Sequence, residues 1–277
     1  KAVPQGNASL KGAVYGLYAR EDIVYPDGIS GVIYPKDTLI AELVTDEQAE
    51  AGISGLYLGK YYLKEIAAPE GYNLDTREYD IDCTSGEDGS AEAAHTVTVK
   101  EDVKKQAFQL IKISENESET EGALLEGAGF SAYLKSDLAI KEDGSYDFAS
   151  SVPVVIGENG ATTIYTDQYG HAVSIPLPYG TYVVAETKTP HNMETIKPFE
   201  VTVSEHKPEE PQVWRVFLDR EFEAKLRIIK ADEGTKKPVL TAGAEFRILN
   251  LDTKEYVSMF TSYPSKVKHT TFATDED

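Results

Sequence analysis

Two glutamates occupy positions where a charge is costly. In the run from Tyr61 to Tyr72, Tyr61, Leu63 and Glu65 share one parity while Lys60, Tyr62 and Lys64 share the other, and the run breaks at Pro69 and Gly71. The run from Thr181 to Met193 repeats the arrangement, with Tyr182, Val184 and Glu186 together ahead of Pro190. A strand sends alternate side chains to opposite faces, so both carboxyls are expected to point with apolar residues into a core. There a carboxyl must be protonated or partnered. Two lysines show the complementary oddity: Phe108-Gln109-Leu110-Ile111-Lys112 and Leu226-Arg227-Ile228-Ile229-Lys230 each end on a lysine that shares the parity of apolar residues. The plainer readings are lysines that reach back to water along their stems and acids that accept backbone hydrogen bonds.

The elements that must position these groups are strands. Seventeen Tyr, thirteen Pro and frequent Gly, without sustained helical periodicity, point to short strands joined by turns and hence to an all-β chain. A chain of 277 residues has room for two or three domains. A net charge of -20 repels polyanions, so neither nucleic acid nor an anionic membrane is an expected partner. The single cysteine, Cys83, excludes an internal disulfide framework. No apolar run is long enough to span a bilayer, and no basic then apolar leader opens the sequence. The abrupt ends suggest an interior piece of a longer protein.

Internal repetition organises the chain. A Gly-Ala turn enters a strand at Gly12-Ala13-Val14-Tyr15, Gly127-Ala128-Gly129-Phe130 and Gly243-Ala244-Glu245-Phe246, 115 and 116 residues apart. A Thr-Asp pair recurs at Thr45-Asp46, Thr166-Asp167 and Thr274-Asp275. Asp46 precedes Glu65, and Asp167 precedes Glu186, by the same 19 residues. A third glutamate would fall beyond residue 277, and the strand that should open repeat one is expected to lie outside the sequence. The expected divisions are 1–104, a repeat lacking its first strand; 105–222, a complete repeat with a long insertion from Ser136 to Asn159 read as a surface excursion; and 223–277, the first part of a third repeat. The short linkers imply end-to-end domains with limited hinge freedom.

The lysine near a strand start, the Gly-Ala-x-(Phe/Tyr) turn, the Thr-Asp pair and the strand Tyr-x-(Leu/Val)-x-Glu-x-x-x-Pro, followed in repeat one by Glu70-Gly71-Tyr72, together resemble the Cna B-type, or SpaA-like, domains of Gram-positive surface adhesins and pilins. The resemblance spans the chain as about two and a half repeats. It implies tandem prealbumin-like (immunoglobulin-like) β-sandwiches stacked into a stalk, many crosslinked by a Lys to Asn or Asp isopeptide bond that a glutamate promotes. Carried onto this sequence, it makes Lys112 and Asp219 the crosslinked pair of repeat two and Glu186 the promoting acid. In repeat one, Glu65 is the equivalent acid and Glu101 stands at the acceptor position, in phase with Val97 and Val99, but no strand-one lysine is present, so no bond is expected there. Lys230 has neither partner in repeat three. The chemistry is sound on its own terms, because burial favours the neutral forms of both an amine and a carboxyl, and a fixed neighbouring acid can polarise the carbonyl under attack. Such a reaction happens once, on the protein itself, and is not enzymatic turnover.

Other motifs carry less. Tyr34-Pro35-Lys36 lacks the flanking residues of a pilin-type lysine motif, and Cys83 sits in a polar loop unlike a thioester cysteine. The histidines show no metal spacing, Asp143-Gly144-Ser145-Tyr146-Asp147 is not a complete calcium loop, and no cofactor is implied. Asn7-Ala8-Ser9 and Asn116-Glu117-Ser118 match glycosylation sequons by composition alone. The expected function is structural, with neighbouring repeats of the same polypeptide as partners at a bacterial cell surface, anchored through regions outside this chain. The alternative is an adhesin module whose insertion or Tyr-rich loops contact a host protein or glycan. A glycosidase using Glu65 and Glu186 together is disfavoured, because repeat equivalents fall in separate domains.

Overall fold

The computed structural model describes residues 5–84, 95–114, 126–190, 193–219, 229–238, 242–251, 254–261 and 267–274. The chain forms two compact units, Lys1–Phe222 and Glu223–Asp277. The first contains repeats one and two, built from strands throughout.

Repeat one contributes β1 (Val14–Ala19), β2 (Ile23–Val24), β3 (Val32–Tyr34), β4 (Leu39–Val44), β5 (Lys60–Ala67) and β6 (Glu78–Asp82). Four of them make an antiparallel sheet in the order β4-β1-β5-β6, and β2 and β3 form a small hairpin. Strand β5 carries the first glutamate, and the alternation read from sequence holds on it: Tyr61 and Glu65 are buried inward, and Lys64 is exposed. Tyr62, on the other face, is covered by a stacked Tyr18 ring 5.1 Å away and by the Arg20 guanidinium 3.9 Å above its centroid. Cys83 is half-buried rather than in a polar loop. Its N–H donates to the Gly59 carbonyl, and its side chain packs on the core of Leu17, Ile23 and Tyr61, whose hydroxyl burial pushes up to about 12.

Repeat two contributes β7 (Lys105–Ser114), β8 (Gly129–Leu134), β9 (Thr163–Tyr165), β10 (His171–Val173), β11 (Leu177–Pro178), β12 (Gly180–Lys188), β13 (Phe199–Val203) and β14 (Lys207–Asp219). One sheet runs β13-β12-β8-β9. In the other, β7 is central, with β10 and β11 antiparallel on one side and β14 parallel on the other. Phe108 and Leu110 of β7 meet Phe130, Tyr182, Val184 and Val201 of the facing sheet in one buried core, which makes the repeat a closed sandwich.

The two short signatures found in the sequence prove to be one device. In each repeat the glycine N–H donates to the threonine carbonyl, the alanine N–H donates to the threonine hydroxyl, and the threonine N–H donates to the alanine carbonyl. This holds for Gly12, Ala13 and Thr45, for Gly127, Ala128 and Thr166, and for Gly243, Ala244 and Thr274. The aspartate that follows caps the turn: Asp167 Oδ1 accepts from the N–H groups of Tyr169 and His171, and Asp46 Oδ1 from those of Gln48 and Glu50. Thr166→Val keeps the shape and deletes the hydroxyl acceptor for a buried N–H. We expect it to destabilise repeat two by about 1–3 kcal/mol in urea unfolding.

The insertion of repeat two is more than a surface excursion. Tyr133, Val183 and Ala185 lie on the outer face of the β8/β12 pair, and Leu138, Tyr146 and Phe148 of the insertion fold over them as a second small core. Asp143-Gly144-Ser145 is a turn in which Asp143 Oδ1 accepts from the Ser145 N–H.

The junction of repeats one and two is hydrogen-bonded. Lys104 N–H donates to the Gly71 carbonyl and Tyr179 N–H to the Lys104 carbonyl, while the Tyr179 hydroxyl donates to Glu70. Residues 5–9 run across the same place, where Asn7 bonds Tyr179 and Ser136. Gly71 has φ +85°, and a Cβ there would lie 2.7 Å from both Ala8 and the Tyr179 ring, so the Glu70-Gly71-Tyr72 motif belongs to the junction.

In the second unit, β15 (Glu245–Phe246) pairs with β18 (Phe272–Ala273), and β16 (Met259–Thr261) with β17 (Val267–His269). No residue of this unit among those described is buried. Lys230, read as facing an apolar side, is exposed and outside any described strand. The Leu226, Arg227 and Ile228 that precede it lie outside the described residues.

Candidate functional site: a buried lysine–glutamate pair and its incomplete twin

In repeat two, Lys112 Nζ donates to Glu186 Oε1 at 2.6 Å, and both side chains are 0% exposed. The second carboxyl oxygen accepts from the Ile196 N–H at 3.0 Å. Strand β7 supplies the lysine because Phe108, Leu110 and Lys112 alternate into the core. Strand β12 supplies the acid by the same alternation through Tyr182 and Val184. Glu186 lies directly across from Phe130 of β8, and Lys112 Nζ stands 5.9 Å from the centroid of that ring. The ammonium thus meets the Glu186 carboxylate and the face of the Phe130 ring, among buried apolar residues.

The third residue implied by the resemblance is Asp219. Its backbone ends β14, and its side chain lies outside the described residues. Along the backbone, Trp214 pairs with Leu110 and Arg215 with Ile111, but the next pairing is Phe217 with Lys112, so Val216 is an extra residue, and Asp219 pairs with Ser114.

Repeat one holds the same frame, with no lysine beside the glutamate among the described residues. Glu65 lies directly across from Tyr15, as Glu186 does from Phe130. It is 3% exposed, and its Oε2 accepts from the Asp75 N–H, ten residues on, as Glu186 accepts from Ile196. Glu65 therefore accepts a backbone hydrogen bond, as the plainer reading of a buried acid has it. Its Oε1, the counterpart of the lysine-bonded oxygen, is buried with no hydrogen-bond partner. Glu101 points inward as its phase with Val97 and Val99 implies. It accepts from the Tyr15 hydroxyl through Oε1, while its Oε2 is buried without a partner. Burial, with Glu101 and Asp75 nearby, pushes the Glu65 carboxyl up from its usual range. Burial and the Glu101 bond likewise push the Tyr15 hydroxyl up. Asp75 moves the other way, to about 2, chiefly because the Arg77 guanidinium binds it and because the Tyr79 hydroxyl donates to it.

The sequence did not disclose the Tyr15–Glu101 contact or the two backbone donors. The equal ten-residue offsets from Glu65 to Asp75 and from Glu186 to Ile196 were the available signal. The two glutamates sit in separate sheets with separate neighbours, so they do not form one catalytic pair. Lys36 lies in a turn where its N–H donates to Asp22. Asn116 and His191 lie outside the described residues. Among the described residues no group of three or more His, Cys, Asp or Glu is placed to hold a metal ion, and no helix is long and apolar enough to cross a membrane.

Known proteins share this architecture. The Bacillus anthracis TIE protein superposes with a TM-score of 0.53 at 22% identity, over 97% of this chain and 41% of that one, so the chain spans about two fifths of that protein's length. The minor pilin GBS52 of Streptococcus agalactiae (TM-score 0.34, 18% identity, 83% of this chain and 91% of that one) and the shaft pilin SpaA of Lactobacillus rhamnosus GG (0.30, 18%, 82% and 94%) are more distant in shape. No curated protein sequence matches. The model of the SpaA prealbumin-like fold domain matches residues 3–100 and again 106–214, more than half of the sequence. With the closed sandwich of repeat two and the same glutamate frame in repeat one, the chain belongs to the SpaA family of prealbumin-like fold domains.

Proposed function

We propose that this chain is a stalk segment of a Gram-positive cell-surface adhesin or pilin, and that repeat two locks itself with an amide between Lys112 and Asp219. The observation that carries the reading is the fully buried Lys112–Glu186 contact. A proton passing from the ammonium to the carboxylate across this contact leaves a neutral amine. Lys112 Nζ then attacks the carboxyl carbon of a protonated Asp219. The C–N bond forms, a C–O bond breaks, and one water leaves. Glu186 polarises the acid and returns the protons that the water carries away. Fixed neighbours on β7 and β14 supply an effective molarity on the order of 10⁵ M or more.

A crosslink between the first and last strands of the sandwich suits a load-bearing role. Strands β7 and β14 are parallel neighbours, and a bond across them prevents the sheet from unzipping when the ends are pulled. The reaction consumes its own side chains, so the protein is not a turnover enzyme. Its partners are adjoining repeats, and its place is outside the cell. Intact-mass spectrometry of the purified chain is expected to show the sequence mass less one water, with a tryptic fragment joining Lys112 to Asp219. An unmodified mass overturns the crosslink.

A further inference from the structure

The chain crosses between repeats one and two at residues 102–104, and its backbone there is bonded to both. The Asn73 N–H donates to the Asp102 carbonyl and the Lys104 N–H to the Gly71 carbonyl, on the side of repeat one, while the Tyr179 N–H of repeat two donates to the Lys104 carbonyl. Tyr72 and Val103, both buried, pair at the same place. Residues 5–9, which precede β1, make a second crossing. The Ser9 N–H donates to the Glu70 carbonyl and the Tyr72 hydroxyl to Gln5, whereas the Asn7 N–H donates to the Tyr179 carbonyl at 2.8 Å. The Asn7 side chain reaches further into repeat two, accepting from the Thr181 N–H at 3.4 Å and donating to the Ser136 hydroxyl at 2.9 Å. Both crossings meet at Tyr179. Its N–H is used by residues 102–104, its carbonyl by residues 5–9, and its hydroxyl by Glu70 at 2.8 Å. As at Gly71, no side chain fits at Gly6 or Gly180, where a Cβ would stand 2.1 Å from the Tyr179 carbonyl oxygen and 2.7 Å from Asn7 Oδ1.

We propose that residues 5–9 are a strap anchored on Tyr179, which makes repeats one and two turn as one rigid body. Relative motion is the default for domains joined by a single short connection, because each residue of the connection keeps two soft dihedrals. One crossing is a hinge. A second crossing, bonded to the same tyrosine from a different part of repeat one, opposes rotation about the first, and the bonds made by Asn73, Lys104 and Tyr179 fix the dihedrals of the connection itself. In a stalk, a pull on the chain would have to break these bonds before residues 102–104 could extend.

Residual dipolar couplings of the backbone amides of the intact chain test this. One alignment tensor is expected to fit β1, β4 and β5 of repeat one together with β8 and β12 of repeat two. Gly6→Val drives a side chain into the Tyr179 carbonyl, and it should abolish the common tensor and make the Asn7 and Tyr179 amides exchange about tenfold faster or more. An Asn7→Ala, Tyr179→Phe double variant deletes the side-chain bonds outside both cores, so it keeps the test decisive if Gly6→Val does not fold, and it too should split the fit into two tensors. Unchanged cross-strand contacts between β1 and β5 and between β8 and β12 show that each repeat remains folded. Two tensors in the unsubstituted chain overturn the proposal. A common tensor that survives the double substitution also overturns it, because residues 102–104 would then be the sole restraint. Neither outcome depends on the Lys112–Asp219 amide, so the two proposals fail separately.

Discussion

A Glu186→Gln protein is expected to be one water heavier, relative to its own sequence mass, than the wild type, and to unfold in repeat two more easily by at least about 3–5 kcal/mol. The substitution keeps the shape but removes the charge that faces Lys112. The glutamine has one acceptor oxygen for two donors, Lys112 Nζ and the Ile196 N–H, so one of them is left unsatisfied in a closed core. Loss of the amide adds to the damage, because a crosslink closing a loop of around 100 residues is worth on the order of 4–5 kcal/mol through the unfolded state. The two contributions overlap and do not simply sum. Trp214, the single tryptophan, is half-buried against Phe199 in repeat two, so its fluorescence reports this unfolding without interference from repeat one. A Glu186→Gln protein that still lacks one water would show that the acid does not promote the bond. A Lys112→Met, Glu186→Met double variant replaces the pair with apolar volume, and it should recover part of the stability but never lose the water.

The same substitution at the equivalent site is expected to have the opposite sign. Glu65→Gln should stabilise repeat one by about 1–3 kcal/mol at neutral pH, because a buried carboxylate oxygen without a donor is replaced by a neutral amide while the Asp75 N–H keeps its acceptor. Linkage gives a second readout. The Glu65 carboxyl is raised in the folded state from 4.5, so the folded protein binds the proton more tightly than the unfolded one. Stability is therefore lost as pH rises from 4.5 through the raised value, and regained on acidification into that window. Asp75 runs in the other direction: its depressed value of about 2 contributes stability above 3.8 that is lost as pH falls toward 2. Repeat one should accordingly gain stability between neutral pH and about 4.5 and lose it below 3.8, and Glu65→Gln should abolish the gain while leaving the loss. Hydrogen exchange at the β1 and β5 amides as a function of pH measures both. An unchanged or lowered stability for Glu65→Gln would mean that the charged form is satisfied in the folded chain.

Period-two alternation and residue spacing were enough to place the strands that matter, because a half-buried strand has to write its two faces into its sequence. Glu65 and Glu186 lie inward on β5 and β12, and Lys112 lies inward on β7, as their neighbours imply. The Gly-Ala and Thr-Asp signatures were legible as repeats, but their mutual hydrogen bonds were not, since they join residues about 30 to 40 apart in sequence. Lys230 shows the limit of this reading: parity states which side a residue faces only where a sheet is present, and Lys230 is exposed outside any described strand.

What the sequence by itself determined is the kind of fold and the chemical identity of the groups: an all-β tandem repeat with an acid on one strand of repeats one and two and a lysine on the opening strand of repeat two. Only the tertiary structure decided how the strands register and which buried groups are satisfied. The extra residue Val216 shifts the pairing of β14 with β7 so that Phe217 lies beside Lys112 and Asp219 beside Ser114 along the backbone, and a bulge has no period to betray it. The presence of β7 in one sandwich, and of no described strand in the corresponding place of the other, leaves one glutamate satisfied and its twin with a bare oxygen, although the two strands read alike. Contacts between strands far apart in sequence are set by packing, and packing is not a local property.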